Sequence, residues 1–359
     1  MSKNCCRIVL TATVFVLFIQ AAALSPVLAG TPDDVETFLR EKLGLKSGEI
    51  ASVEEGKPFA AFADASDERE VALFGVVRLD APAHFIGENY RKILSAGEEK
   101  GRVGPGFFSD PPVAADVKTL SLPAGDLEDL RACKVGDCKI KLFREDIESL
   151  GKEIDWSSED VQGQIDERMR RDVLGLVEDY RKRGDDAIPD YADKEQLMNA
   201  AKGFDFLLQE SNLLFEYLPA FYGSIRIYPE GRLEGGDDFV FWTVEDPGSN
   251  LKKTVFLVHA FLFPTSTKKG RPAYAIALKR LFATHYYYAS LQSFTLVDHS
   301  EEGAPKTYAL VLDRSLFDGK LGGLKKKMLR NGLRKNLEDE LRRVQQTVAD
   351  LYRASPQAE

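Results

Sequence analysis

The sequence predicts an α+β fold: an antiparallel β-meander packed on a long C-terminal helix, a helix-grip-like arrangement, with a helical insertion ahead of the meander. Three observations predict it. Between about residues 238 and 315, five runs rich in β-branched and aromatic residues follow one another with short hydrophilic separators, as in sequential hairpins. Residues 322–352 carry Leu324, Met328, Leu333, Leu337, Leu341, Val344, Val348 and Leu351 in a mostly helical stripe against a heavily charged reverse face. The middle third has helical periodicity of its own.

The elements follow in order. Residues 1–29 read as a signal peptide: Lys3 and Arg7 form a basic n-region, Ile8 to Ile19 an apolar h-region, and Val27-Leu28-Ala29 a processing site. Cleavage is expected before Gly30, and the protein is expected in the periplasm or secreted. The apolar stretch is short for a bilayer anchor and ends in Ser25-Pro26. Cys5 and Cys6 precede it instead of following it, which argues against a lipoprotein. Residues 30–359 are expected to form a single α+β domain, with 96–222 as a loop-rich and helical insertion and 223–359 as the sheet plus C-terminal helix.

Thr31-Pro32-Asp33-Asp34 looks like a cap opening a short helix that Gly44 stops. Glu70 to Asp80 alternates as a strand, with Val71, Leu73, Gly75, Val77 and Leu79 on one face. Asp80-Ala81-Pro82 opens a helix carrying Phe85, Ile86, Tyr90, Ile93 and Leu94. Residues 96–122, rich in Gly, Pro and Ser, read as a long loop or an edge strand with turns. Helices are expected at about 158–182, ended by Gly184, then at about 194–201 and 203–218. The strands are expected at about 238–246, 254–264, 272–282, 285–297 and 306–315.

After removal of residues 1–29, the cysteines that remain are Cys133 and Cys138, with four residues between them that include Gly136-Asp137. In an oxidising compartment they read as a disulfide closing a tight turn, about 2 kcal/mol for so small a loop. A redox-active pair is the competing reading. Haem attachment needs a different spacing, and zinc needs further ligands that are not visible nearby.

The chain has 359 residues, 29% charged and 44% hydrophobic, which excludes a disordered chain, a collagen-like fibre and a polytopic membrane protein. Its net charge of −9 becomes −11 without Lys3 and Arg7, against a general nucleic-acid binder, and no nucleic-acid partner is expected. One anomaly points to function. Along Thr254 to Pro264, and again at Phe241 and Trp242, both faces of the strand are apolar. The final helix can cover one face; the other must meet the middle helices, a partner or a ligand.

The order strand, helix, helical insertion, antiparallel meander, long final helix resembles the helix-grip architecture of START-like proteins, in which a curved sheet wraps the final helix and leaves a cavity. The insertion of about 120 residues departs from it. The segments Cys133 to Leu142, Leu278 to Tyr286, Arg314-Ser315, Asp318-Gly319 and Gly322-Gly323 also resemble a group of exported bacterial proteins. That likeness implies a periplasmic setting and brings no activity with it.

Several residues are candidates for a ligand pocket. If Lys279 to Val297 is one continuous strand, Lys279, His285 and Tyr287 share a face suited to a carboxylate or phosphate head group, with His285 as a general base in an enzyme reading. The plainer reading of His285, and of mid-strand His259, is a hydrogen-bonded histidine within the sheet. Trp242 belongs to the two-faced strand. Arg314 could take an anion, or pair with Asp313 or Asp318 to fix the entry of the final helix. Lys325, Lys326, Lys327 and Arg330 lie in a basic block at the start of that helix, where the dipole disfavours them; an anionic membrane surface or nearby carboxylates would account for them. No metal site, cofactor fingerprint, phosphate loop or nucleophile elbow is present in the sequence, so no cofactor is expected. The expectation is a non-catalytic exported protein that binds a lipid or other apolar small ligand between sheet and final helix. A cell-envelope scaffold and an enzyme centred on His285 are the alternatives.

Overall fold

A computed structural model describes residues 31–32, 34–96, 103–246, 251–301, 304–319 and 323–356. The expected signal peptide, its cleavage point before Gly30, and the side chains of Lys325 and Lys326 lie outside the described residues. The chain begins with α1 (Val35–Glu41) and α2 (Ser47–Glu54). Asp34 caps α1: its carboxylate accepts from the Thr37 backbone N–H at 3.0 Å, satisfying a donor that a helix start leaves free. A hairpin of β1 (Phe59–Phe62) and β2 (Glu70–Leu79) follows. The helix expected after Asp80 forms as two pieces, α3 (Ala83–Glu88) and α4 (Tyr90–Ala96), separated at Asn89.

Within the 96–122 stretch, β3 (Val103–Phe107) is an edge strand. Next come α5 (Leu127–Ala132), α6 (Arg144–Glu153), α7 (Val161–Arg183), the short hairpin β4 (Asp190–Tyr191) and β5 (Met198–Asn199), and α8 (Ala200–Gln209), α9 (Asn212–Tyr217) and α10 (Pro219–Arg226). The helices expected at about 194–201 and 203–218 are thus redistributed: the first gives way to β5, and the second begins earlier and breaks at Glu210-Ser211. The meander is β6 (Asp237–Glu245), β7 (Thr254–Ser266), β8 (Pro272–Ala283), β9 (Tyr287–Asp298) and β10 (Thr307–Phe317), and α11 (Gly323–Arg353) closes the fold.

All eight strands of the main sheet pair antiparallel in the order β1-β2-β10-β9-β8-β7-β6-β3. The meander keeps its sequence order, and the N-terminal hairpin adds β2 to the last strand. Each face of the sheet has its own cover. On one, Val258, Ala260, Ile276, Phe294 and Val311 pack with Phe85, Ile86 and Ile93 of α3 and α4 and with Leu337, Leu341 and Val348 of α11. Gly75 lets α11 come this close: a Cβ there would stand 2.9 Å from the Leu341 side chain. On the other face, Trp242, Leu257, Phe261 and Leu291 pack with Val177 and Tyr180 of α7, Phe204 and Leu207 of α8, and Phe221 and Ile225 of α10. Near β2 and β10 this second face meets α1 and α2 through Val35, Leu39 and Val53. The middle helices therefore take the second apolar face.

Cys133 and Cys138 form a disulfide, with Cα atoms 4.4 Å apart. Gly136 in its loop adopts φ 84°, a conformation that suits glycine. The bridge sits beside a small satellite core of Leu122, Leu130, Ile140, Leu150, Ile154 and Ile165.

Lys279 to Val297 is not one strand. The β7–β8 register shifts between Leu257 and Val258, so that Arg280 is opposite Val258 while Phe282 is opposite Leu257, and β8 ends at Ala283. Tyr286, at φ 63°, turns the chain into β9. This bulge and turn separate Lys279 and Tyr287, which sit on opposite faces of the sheet.

Candidate functional site

A cavity of about 340 Å³ lies between the sheet and α11, with Ile86, Tyr90, Ile93 and Leu94 from α3 and α4 along a further wall. The sheet register builds its floor in rows, because alternate residues of each strand share a face. Arg280, Ser290, Ser315 and Val71 form one row across four strands, and Leu278, Gln292, Asp313 and Leu73 the next. The rows beyond are Ile276, Phe294, Val311 and Gly75, then Tyr274, Leu296, Ala309 and Val77. One end of the floor is polar and the other apolar. Glu245 and Tyr287 also line the cavity, and Glu340 and Arg343 face it from α11.

The Arg280 guanidinium lies 4.7 Å from the ring centre of Phe256 and 4.9 Å from that of Tyr287. It donates to the Ser290 hydroxyl at 3.1 Å. Ser315 Oγ lies 3.1 Å from Ser290 Oγ and 3.1 Å from Asp313 Oδ1, so hydroxyls connect Arg280 to Asp313. Gln292 is 6% exposed and lines the cavity, and its carboxamide has no hydrogen-bond partner among the described residues.

Burial pushes the Glu340 carboxyl up to about 7; Asp313 and Glu245 add to the rise, and Arg280 and Arg343 oppose it. Burial also raises Asp313, with Arg280 pulling the other way, and lifts the Tyr287 phenol to about 12. The arrangement can hold a small molecule with an apolar body and a polar end, and Glu340 can take or release a proton near neutral pH.

Of the six pocket candidates named from the sequence, Tyr287 lines this cavity. Lys279, buried on the opposite face, pairs with Asp185 and lies 3.8 Å from the Phe204 ring centre. His259 is fully buried: Nδ1 accepts from the Tyr180 hydroxyl at 2.9 Å and Nε2 donates to Asp238 at 3.0 Å. Burial pushes this imidazole down to about 4, against the pull of Asp238, so it is neutral at pH 7. Trp242 donates its indole N–H to the Asp116 carbonyl at 2.9 Å. His285 sits in the β8–β9 turn, where its Nε2 donates to buried Asp126 at 2.9 Å, and Asp126 also pairs with Lys252 at 2.8 Å. Arg314 pairs with Glu70, not with Asp313 or Asp318; Asp313 points to the opposite face, and Asp318 accepts from Lys141 at 2.6 Å.

Arg280, Ser290, Gln292, Asp313, Ser315 and Glu340 were not named as pocket candidates from the sequence, although Asp313 entered as a pairing partner for Arg314. Their signal is a polar residue wherever the face shared with Leu278, Phe294 and Val311 calls for an apolar one.

A second hollow, a groove of about 730 Å³ between α6 and α7, is lined by Phe143, Leu150, Met169 and Leu176. Arg168, which also lines it, lies 2.8 Å from both Glu153 and Asp172. In the basic block, Lys327 is exposed, and the Arg330 guanidinium lies 4.1 Å from the ring centre of Phe62. Among the described residues, no group of three or more His, Cys, Asp or Glu is placed to hold a metal ion. No helix among them is long and apolar enough to cross a membrane. Compared with models of known families, with curated proteins and with solved structures, the chain matches none, so its function has to be read from the site itself.

Proposed function

We propose that this is an exported binding protein that carries a lipid chain or another apolar small molecule in the cavity between the sheet and α11. The observation that carries the reading is the cavity itself: its 340 Å³ is bounded on several sides, and its walls pass from polar to apolar along one axis. The volume is at the low end of the roughly 300–1,000 Å³ of small-molecule sites. It suits a single chain or a compact ring system better than a two-chain phospholipid. Of the side chains that the alternative enzyme reading needs together, His285 and Lys279 pair with Asp126 and Asp185 away from this cavity, and Tyr287 alone of the three lines it.

Native mass spectrometry of the full chain purified from cells tests the reading. The expected spectrum shows co-extracted ligand, lost when Ala309, on the apolar floor, is replaced by Phe. Ligand-free protein that takes up no apolar compound would overturn it. The basic start of α11 would set such a carrier against an anionic membrane surface, with Lys327 and Arg330 as contacts. Binding to anionic vesicles that weakens with salt is the expected sign.

A further inference from the structure

We propose that the cavity selects a cationic amphiphile: a protonated amine at the polar end, beside Gln292, Asp313 and Glu340, with its apolar part running toward Val77, Leu79, Ile86 and Leu296. This inference rests on the ligand-binding reading above and adds the chemistry of the ligand's polar end.

Charge is the first support. Glu245, Asp246, Asp313 and Glu340 line the cavity against Arg280 and Arg343, and Asp339, which also lines it, pairs with Arg342 at 2.8 Å, so the charged lining is acidic in balance. Arg280 does not offer a free site for a carboxylate. It donates to Ser290, lies close to the Phe256 and Tyr287 rings, and feels the charge of Glu245, Asp313 and Glu340 together. A carboxylate or phosphate brought to this end would meet those three acidic side chains at close range in a poorly solvated space, where like charges repel strongly.

An ammonium group meets the opposite situation. The Gln292 side chain lines the cavity and makes no hydrogen bond among the described residues, so its oxygen is an acceptor available to a donor there. Glu340 likewise makes no hydrogen bond or ion pair within 4 Å among the described residues. Asp313 accepts from Ser315 and keeps a second oxygen for another donor. Three donors on one nitrogen match three acceptors presented by β9, β10 and α11. The same match explains why carboxylates stand in a cavity where burial works against their charge: a cation in the cavity would offset that cost.

The test uses the full chain and three ligands with one alkyl chain: octylamine, octanol and octanoate, titrated by calorimetry at pH 8, below their aggregation concentrations. The expected order is amine tightest and carboxylate weakest, the amine ahead of the alcohol by tenfold or more. The double variant Asp313→Asn, Glu340→Gln should weaken octylamine at least tenfold and leave octanol within about twofold. Octanoate binding as tightly as octylamine overturns the proposal, and so does octylamine binding unchanged in the double variant; in both cases a ligand pocket remains. Failure of all three ligands to bind overturns the pocket reading and this proposal with it. The ligand series needs no variant, so misfolding of the double variant leaves the proposal open to refutation.

Discussion

Glu340 shows how one residue ties the site to stability. Its carboxyl titrates near 7 in the fold, against 4.5 for an ordinary glutamate, so the folded protein holds this proton more tightly than the unfolded chain does. The resulting stability is full below pH 4.5 and lost as pH rises through 7. Glu340→Gln should therefore raise the ligand-free Tm by about 2–4 °C at pH 8.5, the shift of about 1 kcal/mol in a large domain, and leave it unchanged at pH 4.5. His259 has the opposite sign. Its imidazole falls from 6.5 to about 4 on folding, so between these values the unfolded chain binds more protons. Stability is present above pH 6.5 and is lost as pH falls toward 4, a term of the order of 3 kcal/mol. Urea unfolding at pH 4.5 and 7 checks it, and His259→Gln should flatten the difference. The plainer reading of His259 was legible because apolar residues flank it along its strand. The polar end of the cavity was not, because Arg280, Gln292 and Asp313 are scattered in sequence and become neighbours only through strand register.

Periodicity made the elements legible where it was long and regular. The five meander strands and α11 fall within a few residues of expectation, since period 2 and period 3.6 extend over ten or more positions. The turn after β8 was illegible for a physical reason. Thr284-His285-Tyr286 contains no Gly, Pro, Asn or Asp, and the left-handed conformation falls on Tyr286, a residue that seldom adopts it. The shared face proposed for Lys279, His285 and Tyr287 failed there. Two substitutions test element packing. Gly75→Val places atoms 2.9 Å from Leu341 and 3.2 Å from Leu337, so it should cost about 1–3 kcal/mol and loosen α11, seen as faster amide exchange in that helix. Replacing both Cys133 and Cys138 by Ser should cost about 2 kcal/mol. The loss should be local: exchange rises around the satellite core of residues 122–165, and β7 and β8 stay protected.

For the whole molecule, the sequence showed that both faces of the sheet needed cover but not which elements supply it, since helix periodicity carries no information about the partner face. The α7–α10 layer and α11 share the sheet, and neither buries its apolar stripe without it. Loss of one layer should expose the sheet and destabilise the other. Unfolding is expected in one transition, with Trp242 fluorescence in a Trp156→Phe variant and far-UV circular dichroism giving coincident midpoints in guanidinium. Two separated midpoints would show that the layers fold independently.

The margins of the sheet carry a further consequence. Strands such as β7, apolar on both sides, are the kind that recruit other chains when their backbone edge is open. Here the outermost strands are β1, four residues long, and β3, five residues long and containing Gly104 and Pro105. The strands most prone to fibril-like association are enclosed between two short margins, one of them interrupted by a proline that offers no amide hydrogen. The sheet's own apolar strands are thereby kept from serving as a template for aggregation.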